Sequence, residues 1–353
     1  MNSIITGTGT YIPKIIKKNS DFLNKEFYGE QNEPFETSNE IIIEKFKGIT
    51  GIEERRYLEP ELQNSDAATI AARIAIEDAK IDPETIDQII FAHNFGDIRF
   101  NDKQSDMLPS LASRVKHLLR IKNPNCVAYD VIFGCPGWIQ GLIQADNFIK
   151  AGVAKTCLVI GAETLARVVD PYDRDSMIYA DGAGACIIEA KDVSDKGILS
   201  HAAQSFTYDE SNYLFFGESN KIIPDISTRY IKMYGRKIYE FALNNVPNAM
   251  KIALDKSGVP IENIKKILIH QANEKMDEAI VKRFYKLYKT KMPKDIMPMS
   301  IQKLGNSSVA TVPTLLDLIL KKNLESHAIN NGDAVLFASV GAGMHINAIV
   351  YQF

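Results

Sequence analysis

Asp130-Val-Ile-Phe-Gly-Cys-Pro-Gly-Trp-Ile-Gln-Gly-Leu142 is the stretch that decides how this chain folds. The apolar run at residues 126–132 reads as a buried strand, and Phe133-Gly134 reads as a sharp turn. Pro136 stands where a first helical residue belongs, because its fixed φ suits that position and its missing N–H costs nothing there. Ile139, Leu142, Ile143, Phe148 and Ile149 keep a helical period that Gly152 ends. Cys135 is therefore presented at the top of a strand and the N-terminus of a helix. The helix dipole and the free N–H groups there favour a thiolate.

Bulk properties narrow the function classes. With 353 residues, 45% of them hydrophobic, the chain can build a large core of one or two domains. A net charge of −3 gives no global reason to bind nucleic acid. No stretch of 18 apolar residues offers a membrane span, and the start, Met1-Asn-Ser-Ile-Ile-Thr-Gly-Thr-Gly9, reads as a strand and a turn, not a signal peptide. A cytoplasmic protein is expected. Cys126, Cys135, Cys157 and Cys186 show neither CxxC nor zinc spacing, so free thiols are expected and no metal. Cys157 and Cys186 lie inside apolar strands and read as core. Residues 17–39, 59–65, 97–106 and 208–225 read as loops.

The chain contains an echo of itself. Residues 75–91 align without gaps on residues 253–269, with Ala75, Glu84, Ile86 and Ile89 meeting Ala253, Glu262, Ile264 and Ile267. Both copies read as the end of an amphipathic helix, a short turn with proline and a buried strand. Gly134-Cys135 is echoed by Gly305-Asn306. Leu158-Val-Ile-Gly161 and Gly182-Ala-Gly184 are echoed by Val335-Leu-Phe-Ala338 and Gly341-Ala-Gly343. A repeat of half the chain implies duplicated α/β halves packed together, here residues 1–190 and 191–353, not a solenoid. Matching strand ends would then bring Cys135 and Asn306 to one cleft, with His270 at the end of the second copy's strand.

These three residues carry a chemistry. An ordinary cysteine is about 3% thiolate at neutral pH. A helix terminus adds only roughly 0.3–1 kcal/mol, so a neighbouring imidazole is needed to activate the sulfur. The imidazole of His270 and the carboxamide of Asn306 can also donate to one thioester oxygen and hold an enolate without metal or organic cofactor. Each residue also has a bland reading: a small buried hydrophobe, a satisfied core histidine, an N-cap.

The segments that hold them resemble the β-ketoacyl-acyl-carrier-protein synthase III family of the thiolase superfamily, in order and over nearly the whole chain. They are Thr50-Gly-Ile-Glu-Glu-Arg-Arg56, Gly134-Cys-Pro-Gly-Trp138, Glu163-Thr-Leu-Ala-Arg-Val-Val-Asp170, Ala180-Asp-Gly-Ala-Gly-Ala185, Gly235-Arg236, His270-Gln-Ala-Asn273, Gly305-Asn-Ser-Ser308 and Gly341-Ala-Gly-Met344. The resemblance implies an α/β, thiolase-like five-layer αβαβα fold with two pseudo-symmetric halves, and a homodimer. It implies that Cys135 takes an acyl group as a thioester and that a malonyl thioester then loses CO2. His270 and Asn306 would hold the enolate, which attacks the acyl group. The backbone N–H groups of Cys135 and Ala342 would form the oxyanion hole.

Some positions depart from the family's pattern. Ile41 and Ile49 stand where the coenzyme A clamp has tryptophan and arginine, although Arg174 matches its other side. The acyl donor could thus be acyl-CoA or acyl-ACP, with malonyl-ACP as the extender. Leu108 replaces the aromatic residue that reaches across the dimer to floor the acyl pocket, which implies a longer or bulkier acyl chain. Lys275 replaces an arginine. Gly7-Thr-Gly9 lacks a third glycine and meets Pro13, which speaks against a dinucleotide site. Residues 275–294 hold Lys275, Lys282, Arg283, Lys286, Lys289, Lys291 and Lys294 against Asp277 and Glu278, a net +5. An acidic acyl carrier protein would find a docking surface there.

The chain thus reads as an acyltransferase making a carbon–carbon bond by decarboxylative condensation, leaning towards specialised lipid or polyketide synthesis. Two alternatives stay open. One is acyl transfer to a β-ketoacyl, alcohol or amine acceptor without decarboxylation. The other is a non-catalytic acyl-binding partner subunit.

Overall fold

The computed structural model describes residues 1–224 and 227–353, so the last residue of the expected loop 208–225 lies outside the described residues. In chain order the first elements are β1 (Asn2–Tyr11), β2 (Ile15–Lys18), α1 (Asn39–Thr50), β3 (Glu54–Tyr57), α2 (Asn64–Ala79), β4 (Gln88–Ala92), α3 (Leu111–Leu118), β5 (Val127–Val131), α4 (Gly137–Lys150), β6 (Thr156–Thr164) and β7 (Asp181–Lys191). They are followed by β8 (Gly197–Ser205), β9 (Leu214–Gly217), β10 (Tyr230–Met233), α5 (Gly235–Ser257), β11 (Ile264–Ile269), α6 (Glu274–Leu287), α7 (Ile301–Leu304), α8 (Thr311–Leu320), β12 (Ala334–Gly341) and β13 (His345–Gln352).

Two sheets dominate. The first has the order β1-β7-β6-β4-β5 and the second β11-β12-β13-β8. Read from β1, the first sheet pairs antiparallel, antiparallel, then parallel. Read from β8, the second does the same. The echoed segments occupy equivalent places: α2, a short 3-10 turn and β4 in one half; α5, a 3-10 turn and β11 in the other. The Gly182–Gly184 echo is looser. Those glycines lie inside β7, whereas Gly341 ends β12.

Layering follows from which faces are apolar. β4 and β6 are buried on both faces and read as unbroken apolar runs, as parallel strands covered on both sides must. Between the sheets lie α4 and α8, whose Trp138, Leu142, Leu315 and Leu316 pack on Ile90 and Val159 of one sheet and on Leu268, Phe337 and Ile349 of the other. Outside them, α2 and α3 cover the first sheet and α5 and α6 the second. The result is five layers, αβαβα. A Cβ on Gly7 or Gly9 would come within 2.3 or 2.2 Å of the Ala75 or Ala71 carbonyl on α2. The Gly-Thr-Gly of β1 therefore serves close helix–strand packing.

Three expectations need correction. The strand before Cys135 is β5, not a buried strand. It sits at the sheet edge, bonded only to β4 among the described strands, and leaves Val127 51% and Ile132 61% exposed. Pro136 is the N-cap of α4 (φ −72°, ψ 0°), not its first residue. Its ring fits that conformation equally well, and the Gly137 N–H is taken by the Gly134 carbonyl at 3.0 Å. Finally, residues 208–225 are not all loop, because β9 pairs with β10.

Candidate active site

Cys135 lies at the seam between the halves. Gly134 turns the chain with φ +62°, in the region that favours glycine. A Cβ on it would fall 2.6 Å from the Ala342 nitrogen, and a Cβ on Gly341 would fall 2.4 Å from the Cys135 nitrogen. The two turns therefore meet backbone to backbone, and the nitrogens of Cys135 and Ala342 lie at the same contact.

His270 follows β11 directly and is 4% exposed; its N–H donates to the Ala338 carbonyl at 2.9 Å. Gln271 beside it is fully buried and pins the next loop. Its Oε1 accepts from the Ser300 and Ile301 N–H groups at 2.9 and 3.0 Å, and its Nε2 donates to the Pro298 carbonyl at 2.9 Å. Asn273 caps α6 through the Met276 N–H.

Asn306 belongs to the second half but is held by the first. Its N–H donates to the Ile178 carbonyl at 3.0 Å, and its carbonyl accepts from Ala180 at 2.8 Å. Beneath it, a Cβ on Gly305 would meet the Arg55 Cβ at 2.7 Å. Arg55 is fully buried and donates to the Met177 carbonyl, the Lys17 carbonyl and Asn19 Oδ1. The Asn306 Oδ1 accepts from the Ser308 N–H at 2.8 Å. A backbone N–H can only donate, so this bond fixes which end of the amide is oxygen and leaves Nδ2 as the donor towards the site.

Ser308 is where the three meet. Its Oγ lies 3.3 Å from Cys135 Sγ, its N–H binds Asn306, and its backbone bears on the His270 ring. In the sequence Ser308 stands out only as a member of the Gly305–Ser308 motif, two residues after Asn306. Arg55, likewise, shows in the sequence only as a member of the Thr50–Arg56 motif, whereas in the fold it is the post under the Asn306 turn.

Burial sets the charge states. It pushes the Cys135 thiol up to about 11, opposed by the Ser308 hydrogen bond and reinforced by the charge of Glu163. This outweighs the helix terminus, which supplies only about 0.3–1 kcal/mol against the ~1.4 kcal/mol that each pH unit represents. The resting group is therefore a thiol, and the helix terminus alone does not activate it. Burial also depresses His270 to about 4, the Ser308 backbone partly offsetting it, so the imidazole is neutral at pH 7.

Arg174, Leu108 and the basic strip are not joined to these three by any bond among the described residues. Arg174 is half-exposed and lies 5.2 Å from the centre of the Phe35 ring, a neighbour the sequence reading did not anticipate. Ile41 and Ile49 are exposed on α1. Leu108 is 89% exposed. Lys275, Lys282, Arg283 and Lys286 are exposed along α6; Lys282 pairs with Glu278 at 2.6 Å, and Arg283 donates to the Leu243 carbonyl and Asn244 on α5. Among the described residues no group of His, Cys, Asp or Glu could hold a metal, and no helix is long and apolar enough to cross a membrane.

A duplicated five-layer fold with cysteine, histidine and asparagine at its seam defines a thiolase-fold condensing enzyme. Comparisons with known proteins narrow the class. The family model described as 3-oxoacyl-[acyl-carrier-protein (ACP)] synthase III matches residues 129–206, and that for its C-terminal part matches residues 254–353. The chain is 33% identical over 348 residues to the β-ketoacyl-[acyl-carrier-protein] synthase III of Caldanaerobacter subterraneus subsp. tengcongensis, covering 96% of this chain and 94% of that one. It is 32% identical over 355 residues to that of Aquifex aeolicus, with both chains covered completely. The crystal structure of the Aquifex aeolicus 3-oxoacyl-[acyl-carrier-protein] synthase III superposes with a TM-score of 0.81 at 31% identity, over 99% of this chain and all of that one. The chain belongs to the β-ketoacyl-[acyl-carrier-protein] synthase III family and is an acyltransferase of the condensing type.

A thiol raised to about 11 makes a kinetic prediction. Its reactive fraction grows with pH, so alkylation of Cys135 by iodoacetamide in the free enzyme should keep rising about tenfold per unit from pH 7 to pH 9. Peptide mass spectrometry reads the rate; a plateau already reached at pH 7 would mean a resting thiolate.

Proposed function

We propose that this chain loads an acyl group onto Cys135 and condenses it with malonyl-acyl-carrier-protein, releasing CO2 and a 3-oxoacyl product. The observation that carries this reading is the convergence of Cys135, His270 and Asn306 on Ser308. In the first step Sγ attacks the donor carbonyl, its proton passes to neutral His270, and the carrier thiol leaves with that proton. The N–H groups of Cys135 and Ala342 hold the tetrahedral oxyanion. In the second step the malonyl C–CO2 bond breaks and leaves its electron pair as an enolate. The enolate oxygen is held by the His270 N–H and Asn306 Nδ2, and its carbon attacks the acyl–Cys135 carbonyl. The S–C bond breaks, its electron pair stays on sulfur, and the thiolate takes one proton from solvent water, the proton that the overall condensation consumes. A depressed histidine suits both steps, since it is a free base in the first and a neutral donor in the second.

The surroundings of the site bear on its substrates. Phe35 packs against Arg174, where the resemblance implies one wall of a coenzyme A site, and Ile41 offers no aromatic face opposite. This favours acyl-ACP over acyl-CoA as donor, and specialised lipid or polyketide synthesis over general fatty-acid initiation. The exposed strip of Lys275, Lys282, Arg283 and Lys286 is the carrier-protein dock. Burial raises Asp277 well above the usual carboxylate range, so this acid does little to offset the strip's charge. The halves divide at residues 190 and 191, the first carrying the nucleophile and the second His270 and Asn306. Four unpaired cysteines fit the reducing cytoplasm.

A homodimer follows from the open edge of β5, which leaves unpaired backbone groups beside exposed Val127 and Ile132. A second copy pairing there would cover that edge and receive Leu108 as part of its acyl pocket.

Incubation with acyl-carrier protein should add one acyl group to the intact mass, absent in Cys135→Ser. CO2 release from malonyl-ACP should fall at least 100-fold in His270→Ala. An adduct without CO2 release would support the non-decarboxylating alternative, and no adduct with any donor would support the partner subunit. Sedimentation at micromolar concentration should give twice the 39.4 kDa chain mass; a monomer would contradict the edge-pairing proposal.

A further inference from the structure

Glu163 near the end of β6 is 1% exposed. Its Oε1 accepts from Asn94 Nδ2 at 2.6 Å, and the same Nδ2 lies 3.4 Å from Ser308 Oγ, which in turn lies 3.3 Å from Cys135 Sγ. Neither Asn94 nor Glu163 reaches the sulfur through a hydrogen bond of its own. We propose that Glu163 and Asn94 are positioning residues that aim the Ser308 hydroxyl so that it donates to the Cys135 sulfur and favours its anion.

Donor count sets the direction of these bonds. At the pH 8 of the test below, Glu163, although raised to about 7, is mostly ionised and only accepts, so its contact identifies the Asn94 atom as the amide nitrogen. That nitrogen has two protons. One goes to Glu163 and the other faces Ser308 Oγ, where it occupies a lone pair. The serine hydroxyl has a single proton, and with a donor on one side it turns that proton to the acceptor on the other, Sγ. Every bond in the chain then points at the sulfur. A hydroxyl that donates to a thiolate makes a charge-assisted bond, stronger than the one it makes to a thiol. Ser308 has φ +51°, uncommon for a residue with a side chain, and the Asn306 Oδ1 holds its N–H at 2.8 Å. The hydroxyl is thus fixed from both backbone and side chain.

Glu163 also exerts an opposing effect, because its negative charge disfavours a second negative charge on sulfur. Burial pushes this carboxyl up to about 7, with the Asn94 hydrogen bonds favouring its ionised form and Asp181 disfavouring it. His93 is oriented in turn: its Nδ1 accepts from the Gly96 N–H at 3.1 Å, so Nε2 carries the proton towards Asp130 at 3.0 Å. The groups that act on Cys135 are Glu163 from β6, Ser308 and the cysteine's own backbone; its charge is in turn felt by the Tyr179 hydroxyl. The hydroxyl and the carboxylate therefore act on the sulfur with opposite signs, which a purely structural role for these residues would not produce.

The proposal rests on Cys135 being the nucleophile, but alkylation reads the sulfur whether or not condensation occurs. If the wild-type chain takes up no acyl group, the condensation reading fails and this test still stands. Iodoacetamide alkylation of Cys135 is measured at pH 8 on the full chain, with circular dichroism as the check on folding. Ser308→Ala and Asn94→Ala should each react about tenfold more slowly than wild type. Asn94→Leu, which keeps the shape but has neither donor nor charge, should slow the reaction as well and serves if Asn94→Ala does not fold. Glu163→Gln keeps an acceptor for Asn94 while removing the charge, and should react faster. Wild-type rates in the Ser308 and Asn94 variants, or a slower Glu163→Gln, would overturn the proposal.

Discussion

The contact between the turns at Gly134 and Gly341 is the constraint on which the site depends. Neither position has room for a Cβ, so the two halves approach there backbone to backbone. One turn delivers Cys135 and the other Ala342. The third element, the turn at Gly305, is bonded to Ile178 and Ala180 and rests on buried Arg55, so Asn306 of the second half is positioned by the first. α4 and α8, sandwiched between the sheets, leave these turns little freedom to move apart. Preorganised donors cost no rearrangement at the moment charge develops, which is what an enolate or oxyanion requires.

The same burial that organises the site also quiets it. The thiol is raised and the imidazole depressed, so the resting pair is neutral. Transfer of the proton from sulfur to histidine is disfavoured until a donor carbonyl offers the sulfur a bond. A thiol held in this way is protected from adventitious chemistry, and the histidine is returned neutral for the condensation step. The Ser308 hydroxyl is the one side-chain donor that reaches the sulfur among the described residues.

Much of the fold could be read from the chain, because duplication leaves matched segments: the copies at residues 75–91 and 253–269 occupy the same place in sheets with the same pairing order. Cys135, His270 and Asn306 were visible because each follows a strand or a glycine turn that the repeat marks. The edge position of β5 was not visible, since an apolar run looks the same whether a neighbour of its own chain or nothing lies beside it. The size of the upward shift on the thiol was hidden for a related reason: a helix terminus shows in local sequence, but the desolvation that outweighs it comes from layers distant in the chain. Arg55, Phe35 and Ser308 act through contacts with residues far along the sequence, so their types alone say nothing of their roles. The repeat did hold one unused clue. Its register sets Ala92 against His270, which places His93 and Asn94 at the equivalent strand end.

The most direct measurement of the seam is single-turnover acylation of Gly341→Ala from a saturating acyl-carrier-protein donor, with circular dichroism confirming a native fold. A methyl group there would press on the Cys135 nitrogen and part the two turns. Acyl transfer should fall at least 100-fold. Transfer at the wild-type rate would contradict the claim that this contact builds the site.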